Sequence, residues 1–271
     1  MRYAVIGGSG AVGSLFAERL RESGEVEVLD LATGFDATAP DRELDADVVV
    51  VALPEQVALD AVKALSLEPG TLLVDTLSVK SGVVEAVRAT GLEAVSVNPM
   101  FAPSLPVRGR PIAAVVVRDG PRARDFLRLL GSWGARVVEV TAPEHDRLAA
   151  ASQALTHAAV LGFGLGLAEL DVDADALTAV APPPHRTLLA LLARIAGGTP
   201  EVYWDVQAAN PHAPQARAAL ANGMRRVADV VENGDEAAFA DLLDELRGFL
   251  GDGLAHHREL CERIFEGMEE K

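Results

Sequence analysis

Three glycines close to the start of the chain have the spacing of a phosphate-binding loop. Gly8, Gly10 and Gly13 form a G-x-G-x-x-G pattern between an apolar run, residues 3–6, and a helix-like segment, residues 11–21. In such loops the first glycine allows a tight turn, the second lets the backbone approach a pyrophosphate, and the third lets helix and strand pack closely. The unpaired N–H groups at the helix start then favour the charge of the phosphates. The spacing therefore predicts a dinucleotide site.

An acidic residue, Asp30, follows at the end of the next apolar run, residues 26–30. A carboxylate at this position accepts hydrogen bonds from the adenosine ribose hydroxyls and repels a 2′-phosphate, so it predicts NAD rather than NADP as the cofactor. The predicted cofactor contacts lie in the glycine loop and at the ends of later strands: Gly8, Gly10, Ala11, Val12, Gly13, Asp30, Leu53, Pro54 and Thr76.

Apolar runs alternate with helix-like segments along the first half of the chain. Residues 47–54, 71–76 and 93–97 have the pattern of strands, and residues 55–65 and 81–90 that of the helices between them. Residues 111–117, 121–133 and 136–140 continue as strand, helix and strand. Continuous apolar strands between helices are typical of a parallel sheet that is covered on both faces. We therefore expect an α/β fold of the Rossmann type, with a doubly wound and mostly parallel sheet that binds ligands beyond the carboxyl ends of its strands.

The pattern changes at Thr141, where Thr141-Ala-Pro-Glu144 has the form of a capping box. Alanine-rich helical segments follow to the end of the chain. We therefore predict an NAD-binding domain over residues 1–141 and an all-helical substrate and dimerisation domain over residues 142–271. The first long helix, about residues 144–170, is apolar on most faces, and such a helix is usually buried by its neighbours or by a second subunit. A homodimer through the helical domain is the resulting hypothesis.

The composition limits the class of protein and its partners. Of the 271 residues 49% are hydrophobic, and the formal net charge of −16 argues against nucleic acid and anionic membranes as partners. The single cysteine, Cys261, suits a reducing compartment. We expect no signal peptide, because a strand begins directly after Met1, and no membrane span, because the most apolar segment, residues 158–168, is short. A soluble cytoplasmic protein without a metal site is predicted.

Five short stretches, in order along the chain, together resemble the prephenate/arogenate dehydrogenase family. They are residues 75–80 (DTLSVK), 98–103 (NPMFAP), 133–136 (WGAR), 144–146 (EHD) and 153–157 (QALTH). The resemblance implies a Rossmann domain followed by a helical dimerisation domain. It also implies oxidation of a small dicarboxylate cyclohexadienyl substrate with NAD(P), with loss of CO2 as the ring becomes aromatic.

Asn98 departs from the pattern of that family, which usually has a histidine at this position to accept the proton of the ring 4-hydroxyl. An asparagine cannot take up that proton, and loss of a general base typically costs about 10²–10⁴-fold in rate. The family has a branch that acts on 4-amino-4-deoxyprephenate, whose ring carries an amine instead of the hydroxyl. An unprotonated amine needs no base, because its own lone pair expels the hydride. Oxidation of this amine to 4-aminophenylpyruvate, for para-amino-phenylalanine-type precursors, is therefore the leading prediction, with Asn98 orienting the amine.

Three alternatives remain open. The first is a prephenate or arogenate dehydrogenase that tolerates Asn98, and the second is an NAD-binding regulatory protein without turnover. The third, a hydroxyacid dehydrogenase or imine reductase of similar architecture, is disfavoured. The hydroxyacid enzymes carry a catalytic lysine early in the helical domain, and between Lys80 and Lys271 this chain has none.

Further site residues follow from the resemblance, position by position. It implies a catalytic role for Ser78 beside Asn98, a substrate contact for Lys80, carboxylate clamps at Arg194 and Arg186, and a position facing the cleft for His157 and Gln153. Structural roles remain open for the same residues: Ser78 as a helix cap, Lys80 as a surface cation, Arg194 as a complement to a helix dipole and His157 as a core histidine. His145, beside the capping box, is interpreted as structural.

Overall fold

A computed structural model describes residues 1–40 and 42–268 of the chain. Its strands are β1 (Arg2–Ile6), β2 (Glu25–Leu29), β3 (Arg42–Leu44), β4 (Val48–Val51), β5 (Leu65–Leu67), β6 (Leu72–Asp75), β7 (Ala94–Pro99), β8 (Pro111–Arg118) and β9 (Arg136–Glu139). Its helices are α1 (Ala11–Leu20), α2 (Glu55–Ala64), α3 (Ser81–Ala89), α4 (Pro121–Ser132), α5 (Ala142–Ala149), α6 (Leu155–Glu169), α7 (Ala174–Ala179), α8 (Pro183–Ala196), α9 (Pro200–Ala208), α10 (Ala213–Glu232), α11 (Glu236–Leu250) and α12 (Gly253–Glu266).

Within the described residues, seven strands form one sheet in the order β2-β1-β4-β6-β7-β8-β9. All neighbouring strands are parallel except β7 and β8, which run antiparallel. The strand order departs from β1 in both directions, so the sheet has the switch point that is typical of doubly wound folds. The predicted α/β fold with a mostly parallel sheet is confirmed.

The core lies on both faces of this sheet because successive side chains of a strand point to opposite faces. In β4, Val48 and Val50 pack into one hydrophobic cluster with Phe16 of α1, while Val49 and Val51 pack into a second cluster with residues of α2 and α3. All four valines are buried, at 0–2% exposure. Continuous apolar runs in the sequence therefore correspond to strands that are enclosed on both faces.

The chain divides into two compact units. The first comprises Met1–Ser152 with Glu201–Ala213, and the second comprises Gln153–Pro200 with the chain from Pro214 onward. The first unit contains the sheet and the segment Glu201–Ala213, which the sequence had not associated with it. The predicted division at residue 141 remains a prediction.

The helices α5 and α6 form one continuous helical stretch, Ala142–Glu169. A π-helical turn at Ala150–Ala154 joins them. By length and composition alone this stretch could cross a membrane, and 22% of its most apolar window is buried. The most apolar segment predicted from the sequence, residues 158–168, is shorter than this helical stretch. Single π turns in helices often mark functional sites, and Gln153 lies in this one.

Candidate active site

The glycine loop connects β1 to α1 and is tightly packed against its neighbours. A Cβ on Gly13 would lie 2.2 Å from the carbonyl oxygen of Gly7, so only glycine fits at this contact between loop and helix. A Cβ on Gly8 would lie 2.7 Å from Val28 of β2. The residue with the left-handed turn conformation is Gly7, at φ +76°. The sequence assigned that turn to Gly8, and the structure corrects this assignment, because Gly8 is required for packing instead.

The start of α1 and the end of β2 provide groups that fit a dinucleotide. Gly10 caps α1, and the first turn, with Ala11 and Val12, contains no acidic residue, so the positive end of the helix dipole is left for an anion. Asp30 lies beside the loop, where one carboxylate oxygen accepts a hydrogen bond from Ser9 N at 3.3 Å. The carboxylate is thus placed next to the phosphate-binding loop, as recognition of a ribose diol requires.

Three predicted cofactor residues follow the neighbouring strands β4 and β6 at the same edge of the sheet. Leu53 and Pro54 come after β4, and Pro54 occupies the N-cap position of α2. Thr76 comes after β6, and its N–H and its hydroxyl both donate to Val51 O, at 3.1 and 3.3 Å. The structure thus brings all predicted cofactor residues to the carboxyl ends of neighbouring parallel strands, the usual ligand site of such sheets.

Asn98 lies near the end of β7, at the same edge of the sheet, and its side chain is held by a buried histidine. The Nδ2 atom of Asn98 lies 3.1 Å from Nε2 of His145 in α5. The Nδ1 atom of His145 lies 2.9 Å from Oδ1 of Asp146. Asn98, His145 and Asp146 are 5%, 2% and 0% exposed. The three side chains form a continuous hydrogen-bonded chain that ends at the predicted catalytic residue.

Asp146 is the fixed end of this chain because donors surround its carboxylate. Oδ1 accepts from Lys80 N at 2.8 Å, and Oδ2 accepts from Ser81 N at 2.9 Å and from the Ser81 hydroxyl. Burial alone would raise the pKa of Asp146. The hydrogen bonds from His145 and from Ser81 and Lys80 outweigh it and hold the pKa at about 2. Asp146 is therefore a carboxylate that ties the start of α3 to α5.

His145 is held as a neutral ring. Burial lowers its pKa below the ordinary value, and the Lys80 ammonium adds to this, while Asp146 and Asp75 act in the opposite direction. Its place in the sequence, beside a capping box, had indicated a structural role for His145. The signal that could have indicated its place is the EHD stretch itself, which puts a histidine and a carboxylate side by side on the first turns of α5.

Lys80 lies in the interior, where it has no solvent exposure. Its ammonium donates to Val97 O at 2.8 Å and to Asp75 Oδ1 at 3.3 Å, and the Ser96 hydroxyl donates to the same Asp75 oxygen at 2.7 Å. Burial lowers the pKa of Lys80, and Asp75 offsets part of that shift. This placement differs from the predicted wall of a substrate pocket, because a side chain enclosed by β6 and β7 has no free face for a ligand. Its contacts instead fix the end of β7, next to Asn98.

Ser78 is half-buried in the segment between β6 and α3. The N-cap residue of α3 is Lys80, and the side chain that accepts from the first N–H groups of this helix is that of Asp146. Within the part of the chain that the structure describes, the alternative role of Ser78 as a helix cap is therefore excluded. Its catalytic role remains a prediction that its place at the carboxyl edge of the sheet permits.

The four remaining substrate residues lie in the second unit. Gln153 is in the π-helical turn, and its side-chain oxygen is enclosed without a hydrogen-bond partner among the described residues. His157 lies on α6, and Arg186 and Arg194 lie on α8. Burial and the charge of Arg194 both lower the pKa of His157. The structure thus brings His157 and Arg194 together in this unit, and their contact with a substrate remains a prediction.

Glu55, on the first turn of α2, is a carboxyl that the sequence did not single out. Burial raises its pKa to about 8; Lys80 lowers it in part, and Asp75, Asp205 and Asp146 raise it further. Asp205, on α9, accepts a hydrogen bond from Glu55 N at 3.4 Å. Because α9 reaches this edge of the sheet only in the folded chain, no local sequence pattern could have indicated the shift.

Comparisons with known proteins agree with the fold. Residues 141–245 match the family model described as the prephenate dehydrogenase dimerization domain. A 4-amino-4-deoxyprephenate dehydrogenase from Streptomyces pristinaespiralis is 54% identical over 98% of this chain and 97% of its own length. A probable arogenate/prephenate dehydrogenase from Methanocaldococcus jannaschii is 26% identical over 92% of this chain, which spans 60% of that protein.

Among solved structures, the prephenate dehydrogenase from Aquifex aeolicus in complex with hydroxyphenyl propionate and NAD+ has the same fold. It aligns with a TM-score of 0.66 and 18% identity, over 91% of this chain and 96% of that one. The resemblance predicted from the sequence, to this family and to its 4-amino-4-deoxyprephenate branch, is confirmed. Because the Streptomyces relative shares more than half of its residues with this chain over almost its whole length, the chain belongs to the prephenate dehydrogenase family.

Proposed function

We propose that the protein catalyses the NAD-dependent oxidative decarboxylation of 4-amino-4-deoxyprephenate to 4-aminophenylpyruvate. The observation that carries this proposal is Asn98, a side chain that cannot accept a proton, at the end of β7 where relatives that oxidise an alcohol need a base. The 54% identity to a 4-amino-4-deoxyprephenate dehydrogenase supports the same substrate.

The chemistry of the amine explains why no base is needed at this position. When bound, NAD+ accepts the hydride that leaves ring carbon C4. The nitrogen lone pair forms a C=N bond as the C4–H bond breaks, which leaves a positive iminium group on the ring. The bond from C1 to its carboxylate then breaks, CO2 departs, and the electron pair of that bond makes the ring aromatic and the nitrogen a neutral amine. Substrate with an unprotonated amine thus gives product and CO2 with no proton to remove.

Each of the two units supplies binding groups that suit this reaction. The glycine loop and Asp30 fit the pyrophosphate and the ribose of NAD. Arg194 and Arg186 provide the cations for a dianionic substrate, with guanidinium groups suited to carboxylates. His157 and Gln153 complete the polar groups of the second unit, and Ser78 lies beside the reacting carbon in this proposal.

The test is NADH formation measured side by side with 4-amino-4-deoxyprephenate, prephenate and arogenate. We expect the amine on the ring to be preferred by at least about 10²-fold in kcat/KM, the lower range of what a missing base costs. Equal rates with prephenate would instead support a prephenate or arogenate dehydrogenase that tolerates Asn98. Tight NAD binding without turnover of any of the three would support a regulatory protein.

We further propose a cytoplasmic homodimer. On α6, Gly162, Leu165 and Gly166 are exposed at the i, i+3 and i+4 spacing of one helix face, and the matched family model is a dimerization domain. A second copy of the chain would cover this apolar face.

The product, an aromatic amine, suits a pathway to para-amino-phenylalanine-type precursors, such as those of some antibiotics.

A further inference from the structure

The amide of Asn98 has an oxygen and an NH2 group, and the group that faces the substrate decides what the residue can recognise. An outward NH2 group would donate to the lone pair that the amine needs to expel the hydride, and it would repel the positive charge that forms on the nitrogen. An outward oxygen would accept a hydrogen bond from the amine and stabilise the iminium ion. The orientation of this amide is therefore a determinant of the reaction and not a detail of packing.

The neighbours of Asn98 fix that orientation in three steps. The Asp146 carboxylate accepts four hydrogen bonds, one of them from His145 Nδ1. A neutral imidazole that donates from Nδ1 has a lone pair on Nε2. Because His145 Nε2 lies 3.1 Å from Asn98 Nδ2, the amide donates its N–H to the ring. The NH2 group is thus directed toward the protein interior.

The oxygen of the amide is left for a ligand. Within residues 1–40 and 42–268, Asn98 Oδ1 makes no hydrogen bond, and it is not one of the enclosed polar atoms that lack a partner. The residual 5% exposure of Asn98 is at the carboxyl edge of the sheet, where ligands of such folds bind. An acceptor therefore points out of an otherwise satisfied network.

We propose that His145 is a positioning residue that holds the Asn98 amide oxygen toward the substrate nitrogen, where it stabilises the positive charge that forms during oxidation. The inference rests on the proposed function. Its physical basis is that a preorganised dipole aimed at developing charge lowers a barrier without having to reorganise during the reaction. His145 acts through Asn98 and does not itself touch the substrate.

The first experiment compares two replacements of His145. His145→Leu removes the acceptor for Asn98 Nδ2, and we expect kcat with 4-amino-4-deoxyprephenate to fall by about 10²-fold, the usual cost of losing one preorganised partner, with a smaller change in KM. His145→Gln keeps an acceptor oxygen on a side chain of similar reach, and we expect a loss of no more than about 5-fold. His256→Gln, at an exposed histidine, is the control for substitution itself. Equal damage from the Leu and Gln variants would overturn the proposal.

A double-mutant cycle separates positioning from a general structural role. If His145 acts only through Asn98, His145→Leu should cost less than about 3-fold in an Asn98→Ala background, because the group it orients is then absent. A loss of similar size in both backgrounds would mean that His145 acts by another route, and the proposal would fail. If the Leu variant melts early or loses NAD binding, the cycle is run with His145→Gln at low pH instead. There the protonated wild type should be slower than His145→Gln, and this difference should vanish in an Asn98→Ala background.

The pH dependence gives a readout that a structural role would not move. Protonation of His145 places a second N–H on Nε2, which forces the amide to turn, so kcat should fall at low pH. Asp146, Lys80 and Asp75 are the charged groups around this ring. The decline should be absent in His145→Gln, while any effect of protonating the substrate amine should persist in both proteins. A low-pH decline that is unchanged in His145→Gln contradicts the inference.

A spectroscopic test does not depend on turnover. In ¹⁵N NMR of histidine-labelled protein, the His145 signal, assigned by its loss in His145→Gln, should show the ring proton on Nδ1 and none on Nε2. A proton on Nε2 at neutral pH would overturn the proposed amide orientation. If none of the three substrates reacts but the proton is on Nδ1, the proposed function has failed while the orientation of Asn98 stands.

Discussion

In the proposed reaction, Asn98 is an uncharged residue that takes the place of a catalytic base because the substrate is an amine. A base must be able to take up a proton, whereas an amine that supplies its own electron pair needs only an acceptor dipole at a fixed distance. The charged group of this hydrogen-bonded chain is the Asp146 carboxylate, which acts through the neutral ring of His145 to determine the direction of the amide. The motif around Asn98 could be found in the sequence, but its partner could not, because 47 residues separate Asn98 from His145.

Asn98→His should shift the substrate preference toward prephenate. A histidine at this position restores a group that can accept the hydroxyl proton, so we expect kcat/KM for prephenate to rise by about 10-fold or more, within the range that general bases contribute. The measurement is NADH formation with prephenate and with 4-amino-4-deoxyprephenate. Asn98→Gln, which keeps an amide, is the control and should not gain prephenate activity. If the histidine variant behaves as the wild type does, this position is not the discriminator.

Gly13 should tolerate no side chain. A Cβ there would lie 2.2 Å from Gly7 O and 2.7 Å from Gly8 Cα, both backbone atoms that cannot move aside cheaply. Gly13→Ala should therefore weaken NAD binding by at least about 10-fold and lower stability by about 1–3 kcal/mol. Gly82→Ala, near the start of α3 with open space around its Cβ, is the matched control. Fluorescence titration with NADH and urea unfolding measure the two effects, and equal affinities in the two variants would contradict this reading of the loop.

At the scale of elements, strand patterns were predictable and the departures from regular structure were not. The buried strands β4 and β6 were evident because each is a continuous apolar run with an enclosed place in the sheet. The short pair β3 and β5 was missed, since three-residue strands carry too little periodicity. The π-helical turn at Ala150–Ala154 was missed for a different reason. A π turn inserts a residue into a helix without a change in composition, so only the backbone reveals it.

The stability of the folded protein should depend on pH through the carboxyl of Glu55 on α2. Its pKa of about 8 in the folded protein lies above its ordinary value of 4.5, so between these values the folded state binds more protons than the unfolded state. The free energy of unfolding should therefore fall as pH rises through this window. Glu55→Gln should remove that dependence and raise stability at pH 8.5 by about 2 kcal/mol, with little effect near pH 5.

Urea unfolding at both pH values measures the effect of Glu55→Gln. Glu18→Gln, at an exposed position on α1, controls for the loss of one negative charge from a chain of net charge −16. If the free energy of unfolding of Glu55→Gln follows the same pH curve as that of the wild type, the Glu55 carboxyl is ionised in the folded protein.

At the scale of the whole molecule, the distribution of apolar residues distinguishes the two units. The sheet and its helices enclose their apolar side chains, whereas α6 has only one fully buried side chain, Val160. Composition alone predicted an apolar helix but could not show which of its faces its neighbours leave open. The exposed face with Gly162, Leu165 and Gly166 has small residues that would let another helix approach closely. If the proposed homodimer forms, we therefore expect its contact to lie in the second unit.

Leu165→Glu should therefore convert the proposed dimer into a monomer. Leu165 is 69% exposed in the single chain, and a buried, unpaired carboxylate in an apolar interface would cost several kcal/mol. Leu31→Glu, at a leucine 76% exposed in the first unit, is the control and should leave the oligomeric state unchanged. Sedimentation equilibrium at micromolar concentrations is the measurement. Because both substitutions add one charge to a similarly exposed leucine, a difference between them identifies α6 as the contact. A wild type that sediments as a monomer would mean that α6 is uncovered in solution.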